Sequence, residues 1–292
     1  SRVPPAAERG AWPKPEDGRP RCLRRAPLPP HTDRMNRLLP VLLLLASVAV
    51  SAQTPLPVTP PEFRGSINAE RQGLHDANRM RTLFYNYGMV GDFQGGADLS
   101  VFHSVEVPRG IGLNYSDGIT PYVLAKVTQA NGTQAYIMLT GFRERQATSP
   151  ISSRIMRFEP RPGYAEADPT INAGRSTAIS NDFRTWPGAA APGGVFDPAS
   201  DPSECWYDKR DDPDDPGWCG SWNGFFGKRP NADQESFYVM DDNLYDAFGF
   251  FPDSRDRTRR GLGLRVEVRG FQWSNPQAQD VIFWHYDIVN ES

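Results

Sequence analysis

The run Leu264-Arg265-Val266-Glu267-Val268-Arg269 alternates apolar and charged side chains without a break. Successive side chains of an extended strand point to opposite faces, so this is the pattern of a half-buried antiparallel strand. The same period of two runs through Val281 to Val289, where Ile282, Trp284, Tyr286 and Ile288 share one face. Ser274 to Asp280 is the connection between these two strands. Tyr122 to Val127 and Gln134 to Leu139 flank Asn131-Gly132, a pair that tolerates the positive φ angles of a tight hairpin turn. Val101 to Val107, Ser153 to Phe158 and Ser236 to Met240 read as further strands. From Ser66 to Tyr85 the spacing of Ile67, Leu74, Met80, Leu83 and Phe84 loosely predicts one short helix, capped by Ser66, weakened by Gly73 and ended by Asn86-Tyr87-Gly88. The 26 glycines and 28 prolines in 292 residues exceed the usual share of roughly 12%, which disfavours a helical bundle. The expected class is all-β: two antiparallel sheets packed as a sandwich, with long loops and at most one or two short helices.

The amino-terminal region stands apart from this pattern. Residues 1–34 carry eight prolines and no hydrophobic periodicity. Met35-Asn36-Arg37 then precedes an apolar run of 13 residues, Leu38 to Val50, closed by the small residues Ser51 and Ala52. A basic start, a short apolar stretch and Val50 and Ala52 at the −3 and −1 positions describe a secretory signal peptide over 35–52, cleaved after Ala52 to leave Gln53 first. At 13 residues, interrupted by Pro40, the run is too short to span a bilayer. A signal starting at Met35 makes residues 1–34 upstream translation with no part in the fold. Residues 53–65 read as a Pro-rich linker and 66–292 as the β-rich domain, with Pro160 to Gly163 a possible internal boundary. The chain stops at Ser292 directly after a strand-like run, so a truncated carboxyl terminus is expected. The first fifty-two residues hold 9 Lys/Arg and 4 Asp/Glu, leaving 23 and 31, a net charge of −8 beyond them. An acidic exported chain does not carry the basic footprint of a nucleic-acid binder.

Chemistry-bearing residues concentrate in one loop. Asp197, Asp201, Glu204, Asp208, Asp211, Asp212, Asp214 and Asp215 place eight carboxylates in nineteen residues of Pro-broken backbone. Irregular, oxygen-rich loops suit Ca²⁺, which takes six to eight oxygen ligands in flexible geometry. A solvated acidic loop is the alternative, and no EF-hand spacing is present. Asp208, Asp211, Asp212, Asp214 and Asp215 are the calcium candidates, with Asp241 and Asp242 from a second cluster that also includes Asp246. Cys205 and Cys219 are the only cysteines after the leader, and an even count in an exported chain suggests a disulfide. His75, His103 and His285 come with no G-x-S-x-G elbow, and His103 and His285 sit within strand-like alternation, so structural histidines are expected. Trp186, Trp206, Trp218, Trp222, Trp273 and Trp284 either pack the acidic loop onto the sheets or offer flat apolar faces to sugar rings.

Five runs carry a resemblance: Phe84 to Gly91, Asn114 to Gly118, Trp222 to Gly227, Ala232 to Asp242 and Phe283 to Asn290. Together, over roughly residues 66–292, they are similar to the amino-terminal portion of large uncharacterised secreted proteins of Gram-negative bacteria. Many of those end in a type IX secretion sorting domain, which this chain lacks. The resemblance implies an extracellular or outer-surface location and further domains downstream; it carries no catalytic residues.

Two functions of different kind follow. One is a non-catalytic binding or scaffolding module that meets polysaccharide or other surface components, with structural calcium in its acidic loops. The other is a secreted polysaccharide hydrolase using carboxylates among Asp208 to Asp215 or Asp241 to Asp246. Two facing carboxylates in a cleft would favour the hydrolase.

Overall fold

A computed structural model describes residues 58–92, 103–142, 148, 149, 151, 153, 156–189, 205–210, 218 and 220–292. Among the described residues eight strands form: β1 (Gln72–His75), β2 (Thr82–Tyr85), β3 (Tyr122–Thr128), β4 (Gln134–Thr140), β5 (Glu159–Pro160), β6 (Gln234–Asp241), β7 (Leu264–Gln272) and β8 (Phe283–Asn290). Every pairing between them is antiparallel. They make two separate hairpins, β1–β2 and β3–β4, and a four-stranded sheet in the order β5-β6-β7-β8. The fold is all-β, as the alternation requires. Among the described residues no helix is long and apolar enough to cross a membrane.

The helix expected over Ser66 to Tyr85 is not formed. Ser66 does cap, accepting from Asn68 N at 3.3 Å, but the cap starts only a single 3₁₀ turn, Ile67–Ala69. The chain then turns into β1 and β2, paired with Gly73 opposite Phe84. A side chain at Gly73 would collide with the Phe84 ring, so the glycine that weakens a helix is what lets the aromatic lie flat across its partner strand. Loose helical spacing lost to a tertiary contact. Asn131-Gly132 behaves as expected: Gly132 has φ +81° and β3 and β4 pair in full on either side. The strand expected over Ser153 to Phe158 is displaced, since Met156 to Phe158 carry no strand and β5 starts at Glu159. Likewise His103 to Val107 form no strand. Glu106 makes only single ladder pairs, with Arg81 and with Asn114.

Register sorts the four-stranded sheet into two faces. Tyr238 pairs with Val268 and Val268 with Tyr286, so these three share the first face; Phe237, Arg269 and His285 share the second. The first face buries Tyr238, Met240, Val266 and Val268 against Phe84 of β2 and Ile137 and Leu139 of β4. On the second face, Phe237 and Val239 are covered by Tyr164, Trp206 and Trp222 from long irregular segments. That double covering explains β6, which is buried along its whole length and reads Phe-Tyr-Val-Met without alternation. Leu56–Ser292 is one compact unit, and the Pro160 to Gly163 segment runs inside it, with Arg161 N donating to Val239 O at 2.8 Å.

Candidate functional site

Asp241 and Asp242 close β6 and are fully engaged by protein donors. Asp241 accepts from Gly65 N on both oxygens (3.0 Å each), from Asn243 N (3.1 Å) and from Arg161 Nε (2.8 Å). Asp242 accepts from Leu262 N (2.5 Å) and Leu264 N (3.0 Å), holding the turn into β7. Burial, with the Asp241 charge adding to it, pushes Asp242 up to about 7. Such carboxylates hold backbone, and their oxygens face separate partners. Asp208 accepts from Asn223 Nδ2 on both oxygens, at 3.0 and 3.1 Å. Asp211, Asp212, Asp214 and Asp215 lie outside the described residues. Among the described residues no group of three His, Cys, Asp or Glu side chains converges as metal ligands would. Cys205 is buried and disulfide-bonded; Cys219, and with it the Cys205–Cys219 pairing, falls outside the described residues.

The histidines sit in different settings. His75 is fully buried, its Nε2 lies 2.9 Å from Ser236 Oγ, and its ring rests between Phe84 and Trp284. Burial depresses it to about 3, so it is neutral. His103 is also buried, with Nδ1 3.3 Å from Glu106 Oε2. Glu106 is itself spent on Arg81 Nε (2.7 Å), Gly110 N (2.9 Å) and Gly112 N (2.7 Å). Neither buried histidine faces a nucleophile in a cleft. His285 is exposed, edge-on to Phe225 at 5.4 Å.

The tryptophans divide just as sharply. Trp206 and Trp222 are sealed, their rings 5.6 Å apart at 85°. Trp206 Nε1 donates to Ser221 O (2.9 Å) and Trp222 Nε1 to Glu235 Oε2 (2.7 Å). Trp273 stands beside open surface. It follows β7, and with Phe271 of β7 and Phe283 and His285 of β8 it builds an aromatic platform on the second face of the sheet. Phe271 and Phe283 are register partners. Phe271 and Trp273 stack at 5.9 Å and 11°, and Phe283 meets Trp273 edge-on at 5.6 Å. Trp273 Nε1 donates to Asn231 O at 2.9 Å, which fixes the indole plane.

A tight turn completes the platform. Gly224 and Gly227 pair across it. A side chain at Gly224 would strike the carbonyls of Gly227 and Arg229, and Gly227 has φ +126°, a conformation open to glycine alone. Phe225 and Phe226 are left at the tip, edge-to-face at 4.8 Å, with Phe226 81% exposed. Together these groups border a cavity of about 270 Å³ lined by Phe225, Phe226, Asn231, Phe271, Trp273 and His285. None of the six is a carboxylate. Beneath it the turn is pinned by Arg269, whose guanidinium lies 3.7 Å over the Phe237 ring and donates to Asn223 O (2.5 Å) and Oδ1 (3.3 Å). Burial lowers Arg269 to about 10. The cue was present in sequence as two phenylalanines between glycines, but only the register of β7 and β8 brings the other rings beside them.

No family model matches the sequence, and no curated protein or solved structure matches it.

Proposed function

We propose that this chain is an exported, non-catalytic binding module that holds polysaccharide on the Phe225–Phe226–Phe271–Trp273–His285 platform. The observation that carries the reading is an exposed aromatic surface whose central ring is oriented by a hydrogen bond on its own edge, Trp273 Nε1 to Asn231 O. Large exposed rings cost solubility and are kept where they contact something. A flat apolar face flanked by Asn231 and His285 suits a sugar ring, which stacks its C–H face and hydrogen-bonds its hydroxyls. Support for binding over hydrolysis comes from the acids: Asp208, Asp241 and Asp242 are engaged with Asn223, Arg161 and backbone N–H groups. Export by the 35–52 segment belongs to the same reading, and sequencing the amino terminus of the secreted protein should give Gln53.

The test is retention of the full chain on a panel of insoluble and soluble polysaccharides, with Trp273 fluorescence as a second readout. Trp273→Ala should lose about tenfold or more in affinity, the loss of roughly one stacked contact, with the unfolding midpoint nearly unchanged. Retention on no member of the panel would refute the proposal. Release of new reducing ends, abolished by Asp→Asn changes at 208–215, would replace it with the hydrolase.

A further inference from the structure

A second cavity lies away from the platform, where the Ser66 to Arg71 segment faces the middle of β6. It encloses about 180 Å³, and its walls include Ser66, Arg71, Asn86, Arg161, Tyr164 and Tyr238. Its polar groups are unevenly satisfied. Asn86 is used in full, accepting from Arg71 N and donating to Ala69 O, both at 2.8 Å. Arg161 is matched by Asp241 at 2.8 Å and Glu291 at 2.9 Å. Arg71 is not matched. Its Nη1 donates to the carbonyls of Asn68 (3.0 Å) and Glu70 (2.8 Å), which orients the guanidinium, while Nε is buried with no partner. Tyr238, 1% exposed, stacks on Phe84 and leaves its buried Oη without a partner too. Among the described residues no acidic side chain lines the cavity. Burial and the neighbouring Arg175 guanidinium both work against the Arg71 charge.

A buried donor without an acceptor costs the fold free energy, and two of them from residues on one cavity, one belonging to a guanidinium that meets no carboxylate among the described residues, call for the same complement. We infer that this cavity is a binding site for a small oxyanion, carboxylate or phosphate, that accepts hydrogen bonds from Arg71 Nε and Tyr238 Oη. Guanidinium groups bind both anions through charge-assisted hydrogen bonds. The inference is independent of the polysaccharide platform, since it uses other residues and another ligand chemistry.

Thermal unfolding of the full chain tests it, with inorganic phosphate or glucuronate titrated against chloride at constant ionic strength. A saturable rise in the midpoint of several degrees is expected once the anion is in large excess over its Kd. A response to phosphate alone identifies a phosphate site, to glucuronate alone a carboxylate site, and to both an unselective oxyanion site. Tyr238→Phe is the decisive variant. Its hydroxyl has no protein bond to lose, so the midpoint in chloride should hold or rise, while the anion response weakens about tenfold. Arg71→Gln should abolish the response. The absence of a saturable shift in the unsubstituted chain would overturn the inference. So would a shift that survives in both variants.

Discussion

Two aromatic clusters lie on the same face of the four-stranded sheet, and they have opposite fates. Around Phe237 and Val239 the rings of Tyr164, Trp206 and Trp222 are closed over by irregular segments, and every indole N–H there has an internal acceptor. Around Phe271 and Phe283, toward edge strand β8, no described segment seals the rings: Phe283 is 49% exposed, and Phe226 stands 81% exposed at the tip of its turn. Residue type does not separate the two clusters. What separates them is what lies over the sheet: irregular segments carrying Tyr164, Trp206 and Trp222 pack on β6, while the rings of Phe271, Trp273 and Phe283, on β7, after it and on the edge strand β8, border an open cavity. The sealed cluster therefore acts on stability, and the open one is free to act on a ligand.

The largest effect expected from this contrast is in the sealed cluster. Trp222→Ala should cost about 3–5 kcal/mol, the range for emptying a buried aromatic site, read from urea unfolding. It also deprives the buried Glu235 of its indole donor. The matching change in the open cluster, Phe226→Ser, should move stability by no more than about 0.5 kcal/mol while weakening polysaccharide retention. Equal losses from the two would break the comparison.

Next is Glu235→Gln. This carboxylate also accepts from Asn231 N and Ala232 N, so it ties the sealed tryptophan to the segment that orients Trp273. An amide can accept at one oxygen only, and its N–H₂ would face donors. A loss of about 1–3 kcal/mol is expected, together with weaker ligand retention, because the Asn231 carbonyl that receives Trp273 Nε1 is loosened. Retention unchanged at full occupancy of the fold would show that the clusters are uncoupled.

Sealing also governs proton uptake, with a smaller effect. His75 is held near 3 where an ordinary histidine titrates at 6.5, so between those values the unfolded chain gains a proton that the folded chain refuses. Its contribution to stability is full above 6.5 and is lost on acidification. Asp242 is held near 7 against an ordinary 3.8, so the folded chain gains a proton first and stability rises on acidification across that interval. The two oppose each other from 6.5 down to 3.8, but His103 is also lowered, by burial and by Arg81, so the histidine side is the larger and the unsubstituted chain should lose stability as the pH falls from 6.5 towards about 5. His75→Phe removes His75 from that balance. Relative to the unsubstituted chain, its unfolding free energy should then become more favourable as the pH falls through that window, the two slopes differing by up to about 1.4 kcal/mol per unit. The offset from lost packing does not affect this slope, which urea titrations at three pH values would give.

Smallest is the effect of Trp273→Phe. It keeps a ring in the platform but removes the bond to Asn231 O, so a loss in retention of a few-fold is expected, with stability changed by about 0.5 kcal/mol or less.

The strands of this protein were legible wherever one face is buried and the other wet. β3, β4, β7 and β8 all show that period, and Asn131-Gly132 marks its turn directly. The helical spacing over 66–85 misleads for a definite reason: Gly73 is a poor helix residue whose role here is to admit the Phe84 ring from the partner strand. Asp241 and Asp242 were legible as acids but not as acceptors. Their partners, Gly65, Arg161, Leu262 and Leu264, lie between 20 and 176 positions away, and separation of that kind leaves no local trace.

Alternation and turn chemistry determined by themselves that this chain is antiparallel and all-β, because side-chain direction along a strand is a local property of the backbone. Which of its aromatic rings, histidines and carboxylates are sealed, and which face a cavity, was decided by tertiary structure alone. Register places Phe271 beside Phe283, packing of the β1–β2 hairpin on the sheet places Phe84 against Tyr238, and burial and hydrogen-bond partners follow from those neighbours. A residue's chemistry is local; the water left around it depends on segments far along the chain.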